Sequence, residues 1–235
     1  MALDQTLLER AAADGTTVFR LYHWSEDTIS FGANEPALRH WSRPRIEAAG
    51  TATVRRPTGG RAVWHAASDL TYGWTAVADR IGSAAVAYHQ IHARWVQAFE
   101  RLGVAATLAP PPARLPGLRR GACFENAVGG EVIVQGEKLI GSAQLVTRGG
   151  LLQHGEVSFG DRLAPLNALR QEPIEATRPA LWPSLPPVAE LETAIAEAWL
   201  ASGARMAPVE LTTWAERASV QHVGRYRDPV WTWRR

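Results

Sequence analysis

The chain has 235 residues, 46% of them hydrophobic, with a formal net charge of +2; this suits one large domain with a sizeable core and excludes wholesale disorder. The scattered charge leaves no nucleic-acid footprint, although the arginines suit an acidic protein partner. A single cysteine excludes an internal disulfide, no apolar run nears the ~20 residues of a bilayer span, and Met1-Ala2-Leu3-Asp4-Gln5 lacks a signal-peptide pattern, so a cytoplasmic protein without a membrane or nucleic-acid partner is expected.

In chain order, Leu3, Leu7, Leu8 and Ala11 predict a helix over 2–13, stopped at Asp14-Gly15. Strands are expected over 17–22 and 28–31. Asn34, with Pro36 behind it, predicts an N-capped helix interrupted at Pro44 and ended by Gly50. Strands over 51–56 and 62–65 flank the turn Pro57-Thr58-Gly59-Gly60-Arg61, and another follows over 69–77. Tyr88, Ile91, Trp95, Phe99 and Leu102 make one apolar face of a helix over 84–102. Residues 109–121 are rich in Pro, Arg and Gly and predict a mobile loop. A meander follows: strands over 131–134 and 138–146, tight turns at 135–137 and 148–150, and a return through 151–157. Period two puts Lys138, Ile140, Ser142 and Gln144 on one face of the second strand, and Leu139, Gly141, Ala143 and Leu145 on a packed face. Residues 163–187 read as irregular. Helices follow over 188–201 and from a Thr212-Thr213 cap to about Val223.

The eleven residues from Arg55 to His65 carry the strongest chemical signal. Paired glycines let a backbone turn approach a ligand, and its amides can cradle a carboxylate, phosphate or carbonyl oxygen. The turn lacks the Gly-Lys-Ser/Thr ending of a P-loop, and a bare Gly-Gly more often marks a hairpin between strands with solvated arginines. Cys123, in Gly121-Ala122-Cys123-Phe124, is a candidate nucleophile with Arg119, Arg120 and Lys138 as cations that could lower its pKa; a lone cysteine also serves as a small buried filler. Lys138 could stabilise a developing negative charge or guard a strand edge. His65 and His154 are candidate site histidines or hydrogen-bonded core histidines. No histidines fall at zinc spacing, so no metal is expected, and no Gly-x-Ser-x-Gly elbow is present.

Residues 55–65, 136–144 and 152–155 together resemble the biotin/lipoate protein ligase and octanoyltransferase superfamily, with 1–4 and 30–32 in support. The resemblance covers roughly residues 1–160 by motif. It implies an α+β fold over 1–235: a mixed, mostly antiparallel sheet flanked by helices, as in a class II synthetase-like catalytic domain. By the same resemblance, Arg56, Thr58, Gly59, Gly60, Arg61, Ala62 and His65 hold the acyl group, with Ser142, Ala143, Gln144 and His154 completing the pocket. Lys138 would contact the acyl carbonyl. Ala122-Cys123-Phe124 and Thr58-Gly59-Gly60-Arg61-Ala62-Val63 are similar to the cysteine-type octanoyltransferases, which implies acyl transfer through a thioester on Cys123. The implied donor is acyl carrier protein, and the implied acceptor is a lysine of a lipoyl-domain or glycine-cleavage H-type protein. No cofactor is then expected; ATP and Mg²⁺ enter only if the chain is a lipoate ligase working through an acyl-adenylate. A non-catalytic acyl-binding module is the third possibility. Either His65 or His154 could take the proton of the acceptor amine. The chain departs from the family at Ala66-Ala67, where an acidic residue often follows the histidine, and at 125–130, where Pro-Ser and an aromatic are usual.

Overall fold

A computed structural model describes residues 1–80, 82–111, 129–173, 184–207 and 212–234. Cys123, Arg119, Arg120 and most of the loop expected over 109–121 lie outside the described residues. A six-stranded antiparallel sheet runs in the order β1 (Val18–Tyr22), β5 (Leu70–Val77), β9 (Gly150–Val157), β8 (Glu137–Val146), β7 (Val132–Val134) and β6 (Ala106–Leu108). A smaller mixed sheet places β2 (Thr28–Phe31) between β3 (Ala52–Arg55), parallel to it, and β4 (Val63–His65), antiparallel. The expected α+β architecture, mostly antiparallel with helices at its flanks, is the one observed.

The central strands β5 and β9 are buried along nearly their whole length because both sheet faces are covered. Leu70, Tyr72, Trp74 and Ala76 alternate toward α4 (Ala84–Arg101) and α6 (Val188–Ala201), where Ile91, Trp95, Phe99, Leu191 and Ile195 close the main core. Fully burying side chains of this size is worth roughly 1.5–3 kcal/mol each. Helix α4 starts at Ser83, whose side chain accepts from the Val86 N–H.

Helix α1 (Ala2–Asp14) crosses the opposite sheet face, with α7 (Thr212–Arg227) packed outside it. It ends as expected at Gly15, which takes φ +79°. Gly150 and Gly73 admit α1 closely: a Cβ at Gly150 would lie 2.8 Å from Leu8, and one at Gly73 3.3 Å from Asp4. The smaller sheet covers the rest of this face. Its own core joins Ile29, Phe31 and Ala62 to Trp41, Ile46, Leu163, Leu166 and Trp233.

Several elements differ from expectation. The region after Asn34 forms two short helices, α2 (Ala37–His40) and α3 (Arg43–Ala48), and Pro36, not Asn34, precedes the first. Trp41 interrupts them by bridging to Arg170. Within the stretch read as irregular, residues Leu163–Ala168 form α5, whose Leu163 and Leu166 are buried. The helix beginning at Thr212 runs on to Arg227, and α8 (Pro229–Thr232) follows it.

Candidate active site

The glycine turn is built from within by two buried arginines. Arg56 donates to the carbonyls of Gly59 (2.9 Å), Arg61 (2.6 Å) and Ser30 (2.9 Å), so its guanidinium sets the shape of the turn. Gly60 takes φ +95°, and a Cβ there would lie 2.8 Å from Arg56 Nη2. Arg55 is fully buried and donates to the carbonyls of Gly32, Glu35, Trp231, Thr232 and Arg234. It fastens α8 to the Gly32 turn. Gly32 in turn abuts the glycine turn, because a Cβ there would fall 2.0 Å from the Gly60 carbonyl oxygen.

Between this assembly and the large sheet lies a cleft lined by Tyr22, Ser30, Arg56, Val63, His65 and, from β8 and β9, Gly141, Ala143, His154 and Glu156. Its cavity volume is only about 30 Å³, well below the usual size of small-ligand sites, so a ligand must part its walls to enter. The strand face carrying Gly141 and Ala143, expected to be packed, is therefore one wall of the cleft. The register explains the grouping: Ala143 pairs with His154 and Gly141 with Glu156, so all four project to the same side.

Two hydroxyl–imidazole–carboxylate chains line this cleft. In one, Thr58 Oγ1 meets His154 Nε2 at 2.6 Å, and His154 Nδ1 lies 3.4 Å from Asp4. Asp4 also pairs with Arg20 and the N-terminal ammonium. Burial works against its ionisation, but those two cations hold its carboxyl well below the usual range. In the other, Ser30 Oγ meets His65 Nε2 at 2.7 Å, and His65 Nδ1 contacts Glu156. Trp24 stacks on the His65 ring with centroids 4.4 Å apart. Burial lowers His65 well below the ordinary imidazole range, and Arg56, His154 and the N-terminal ammonium add to it. Burial lowers His154 too, against the pull of Asp4.

The other candidates sit on the α4 side of the sheet. There a buried chain of donors has one self-consistent direction. Gln144 donates to Gln153 (2.8 Å), Gln153 to Tyr72 (2.8 Å), Tyr72 to Ser142 (2.7 Å), Ser142 to His92 (2.8 Å), and His92 Nδ1–H to the Gly130 carbonyl (2.6 Å). That last bond fixes the His92 tautomer, and burial lowers its pKa to about 4. Lys138 is buried rather than solvated, with its ammonium 2.7 Å from Glu131, to which the Tyr88 hydroxyl also donates.

Arg56, Thr58, Gly59, Gly60, Arg61, His65, Ala143 and His154 are thus gathered at the turn and cleft. Ala62 is fully buried in the smaller core. Ser142, Gln144 and Lys138 direct their polar groups into the network beneath. Ser30 and Glu156 complete the cleft, with Asp4 behind His154; Glu156 is signalled by its place two residues past His154 on a strand, which puts both on one face. No group of three side chains suited to hold a metal ion occurs among the described residues, and none of their helices is long and apolar enough to cross a membrane.

Residues 1–192 match the model of the lipoyl protein ligase A/B catalytic domain. An octanoyltransferase LipM of Kyrpidia tusciae is 32% identical over an alignment covering all of this chain and 94% of that protein. A LipM of Lysinibacillus sphaericus is 34% identical over 67% of this chain, and the match spans only 60% of its length. Among solved structures, the T. acidophilum protein Ta0514 with bound lipoic acid aligns with a TM-score of 0.77 at 17% identity, covering 99% of this chain and 92% of that one; this likeness bears on the fold.

Proposed function

Because the chain belongs to the lipoyl protein ligase A/B catalytic-domain family, we propose that it is an octanoyltransferase of lipoate metabolism. It moves an octanoyl or lipoyl group from acyl carrier protein to a lysine of a lipoyl-domain or glycine-cleavage H-type protein. The observation that carries this reading is the 32% identity to an octanoyltransferase along the whole chain, joined to a cysteine in Ala122-Cys123-Phe124.

In this reading the Cys123 thiolate attacks the donor thioester and keeps the acyl group as a new thioester. The chain of the acyl group enters the cleft beside Val63 and Ala143, whose walls part to admit it, each buried methylene adding ~0.8 kcal/mol. Amides of the Gly59-Gly60 turn stabilise the oxyanion, a contribution of roughly 3 kcal/mol per donor, while Lys138 lies on the α4 side of the sheet with Glu131 as its partner. Lys138 is held by Glu131, eight residues past Cys123, so the ammonium is anchored at the end of the segment that bears the sulfur. The donor thioester supplies the energy, and the transfer needs neither ATP nor a metal. Such partners suit a cytoplasmic reaction.

Intact-mass measurement after mixing with octanoyl carrier protein tests the proposal. An octanoyl adduct that is absent in Cys123→Ser, and that is discharged by a lipoyl domain, is the expected result. Octanoyl-adenylate formation that requires ATP and leaves no adduct would replace it with the ligase reading. Octanoate retained with neither adduct nor product would replace it with a binding module.

A further inference from the structure

Two imidazoles stand at the cleft, and their surroundings separate them. Arg56 Nη1 donates to Ser30 Oγ at 3.1 Å. The Ser30 proton is thereby directed to His65 Nε2, and the His65 Nδ1–H to Glu156. Each hydrogen in this chain has one consistent place. Glu156 is 1% exposed, and its second oxygen, Oε1, has no hydrogen-bond partner. His65 is therefore its chief side-chain partner. Asp4, behind His154, is already answered by Arg20 and the N-terminal ammonium, and it sits at the longer distance of 3.4 Å. A proton arriving on His65 creates an ion pair with a carboxylate that is otherwise under-compensated, in a buried setting where such attraction is strong. A proton arriving on His154 is drawn by Asp4 too, but across 3.4 Å and by a carboxylate shared with two other cations. A hydroxyl bonded to an imidazole that is oriented by a carboxylate is the arrangement that activates an attacking group.

We propose that Ser30, His65 and Glu156 form the proton relay of the amine step, with the Ser30 hydroxyl meeting the acceptor amine, His65 as the base behind it, and Glu156 as the positioning residue. The inference rests on the acyltransferase reading. The acceptor's neutral lysine amine adds its electron pair to the acyl carbonyl. Its N–H proton passes to Ser30 Oγ while the Ser30 proton moves to His65 Nε2. The C–S bond to Cys123 then breaks, the sulfur keeps the electron pair as a thiolate, and the imidazolium releases its proton to solvent. His154 and Thr58 brace the turn.

The groups facing His65 are Arg56, His154, the N-terminal ammonium and Glu156. The first three oppose an imidazolium and only the carboxylate supports it. The test is the rate at which pre-formed octanoyl-enzyme discharges to a lipoyl domain, followed by intact mass across pH. Glu156→Gln is expected to discharge about 100-fold more slowly, with the acid limb of the profile moved to lower pH; Glu156→Asp should bring the limb back toward its original place. A Gln variant with the wild-type rate and an unmoved limb overturns the relay. Should Glu156→Gln fail to fold, Ser30→Ala decides: slowed discharge supports the relay and an unchanged rate overturns it. Wild-type protein that never acquires the octanoyl group sinks the transferase reading and the relay with it. Wild-type discharge beside unaffected variants sinks the relay alone.

Discussion

Replacing Gly32 by alanine tests whether the glycine turn is held in place by close backbone contact. The added Cβ would sit 2.0 Å from the Gly60 carbonyl oxygen and 2.8 Å from its carbon. Both neighbours are backbone, so no side chain can swing away. Restoring an ordinary contact of 3.4 Å requires the two segments to part by about 1.4 Å. The bond from Ala33 N–H to the Thr58 carbonyl, 2.8 Å across the same gap, would then be lost, since N–H···O bonds fade beyond about 3.2 Å. Overpacking costs about 1–3 kcal/mol, and the broken bond about 0.5–1.5 more. A total of about 2–4 kcal/mol lowers the melting temperature by about 4–16 °C at this chain length. Thermal unfolding followed by circular dichroism reads the loss, and octanoyl discharge reads the displacement of Thr58 from His154. A Gly32→Ala protein with unchanged melting temperature and activity would refute the claim that this contact fixes the turn.

Further outcomes follow from single residues. The paired glycines should behave differently: Gly60→Ala forces a side chain into φ +95° and against Arg56, costing about 1–2 kcal/mol. A Cβ at Gly59 meets nothing within 4 Å, so Gly59→Ala should hold stability within about 0.5 kcal/mol while raising the KM for octanoyl donor; denaturant midpoints and transfer kinetics separate the two. His92 stays neutral in the fold down to about pH 4, whereas the unfolded imidazole protonates near its ordinary value of about 6.5. Between those values the unfolded state binds the extra proton, so stability falls as pH falls, by roughly 3 kcal/mol from this group at pH 4. Urea midpoints measured at neutral and mildly acidic pH should show the slope, and His92→Gln should flatten it.

Much of the fold was legible because it rests on local pattern. The α4 stripe of Ile91, Trp95 and Phe99 has helical spacing and is buried as expected. The meander from Glu131 to Val157 is punctuated by Gly136 and Gly149-Gly150, and its strands pair as read. Short elements were hidden: α5 carries Pro165 within six residues, and β6 has three. The alternation along β8 places Gly141 and Ala143 together at the cleft, but Leu139 joins the main core with Ile140 beside a register shift against β7, and which face would be open depends on where the smaller sheet docks. Likewise Lys138 reads as an edge lysine until Glu131, across the β7–β8 hairpin, is seen to bury with it. The meeting of Thr58 with His154 joins residues 96 apart, and that of Ser30 with His65 depends on β2 pairing β4 at one register. Such juxtapositions are tertiary facts, and no spacing along the chain encodes them.

The grip of Arg55 on α8 has a consequence for the order in which the protein matures. Its guanidinium waits for carbonyls that lie 176 to 179 positions later in the polypeptide. On the ribosome, where the N-terminal part emerges first and folds by units, the large sheet can assemble while this cation still lacks those acceptors. The wall above the cleft therefore sets last, after translation has passed Arg234. Shortening the tail before Trp231 should yield a chain that keeps its sheet yet binds no acyl group.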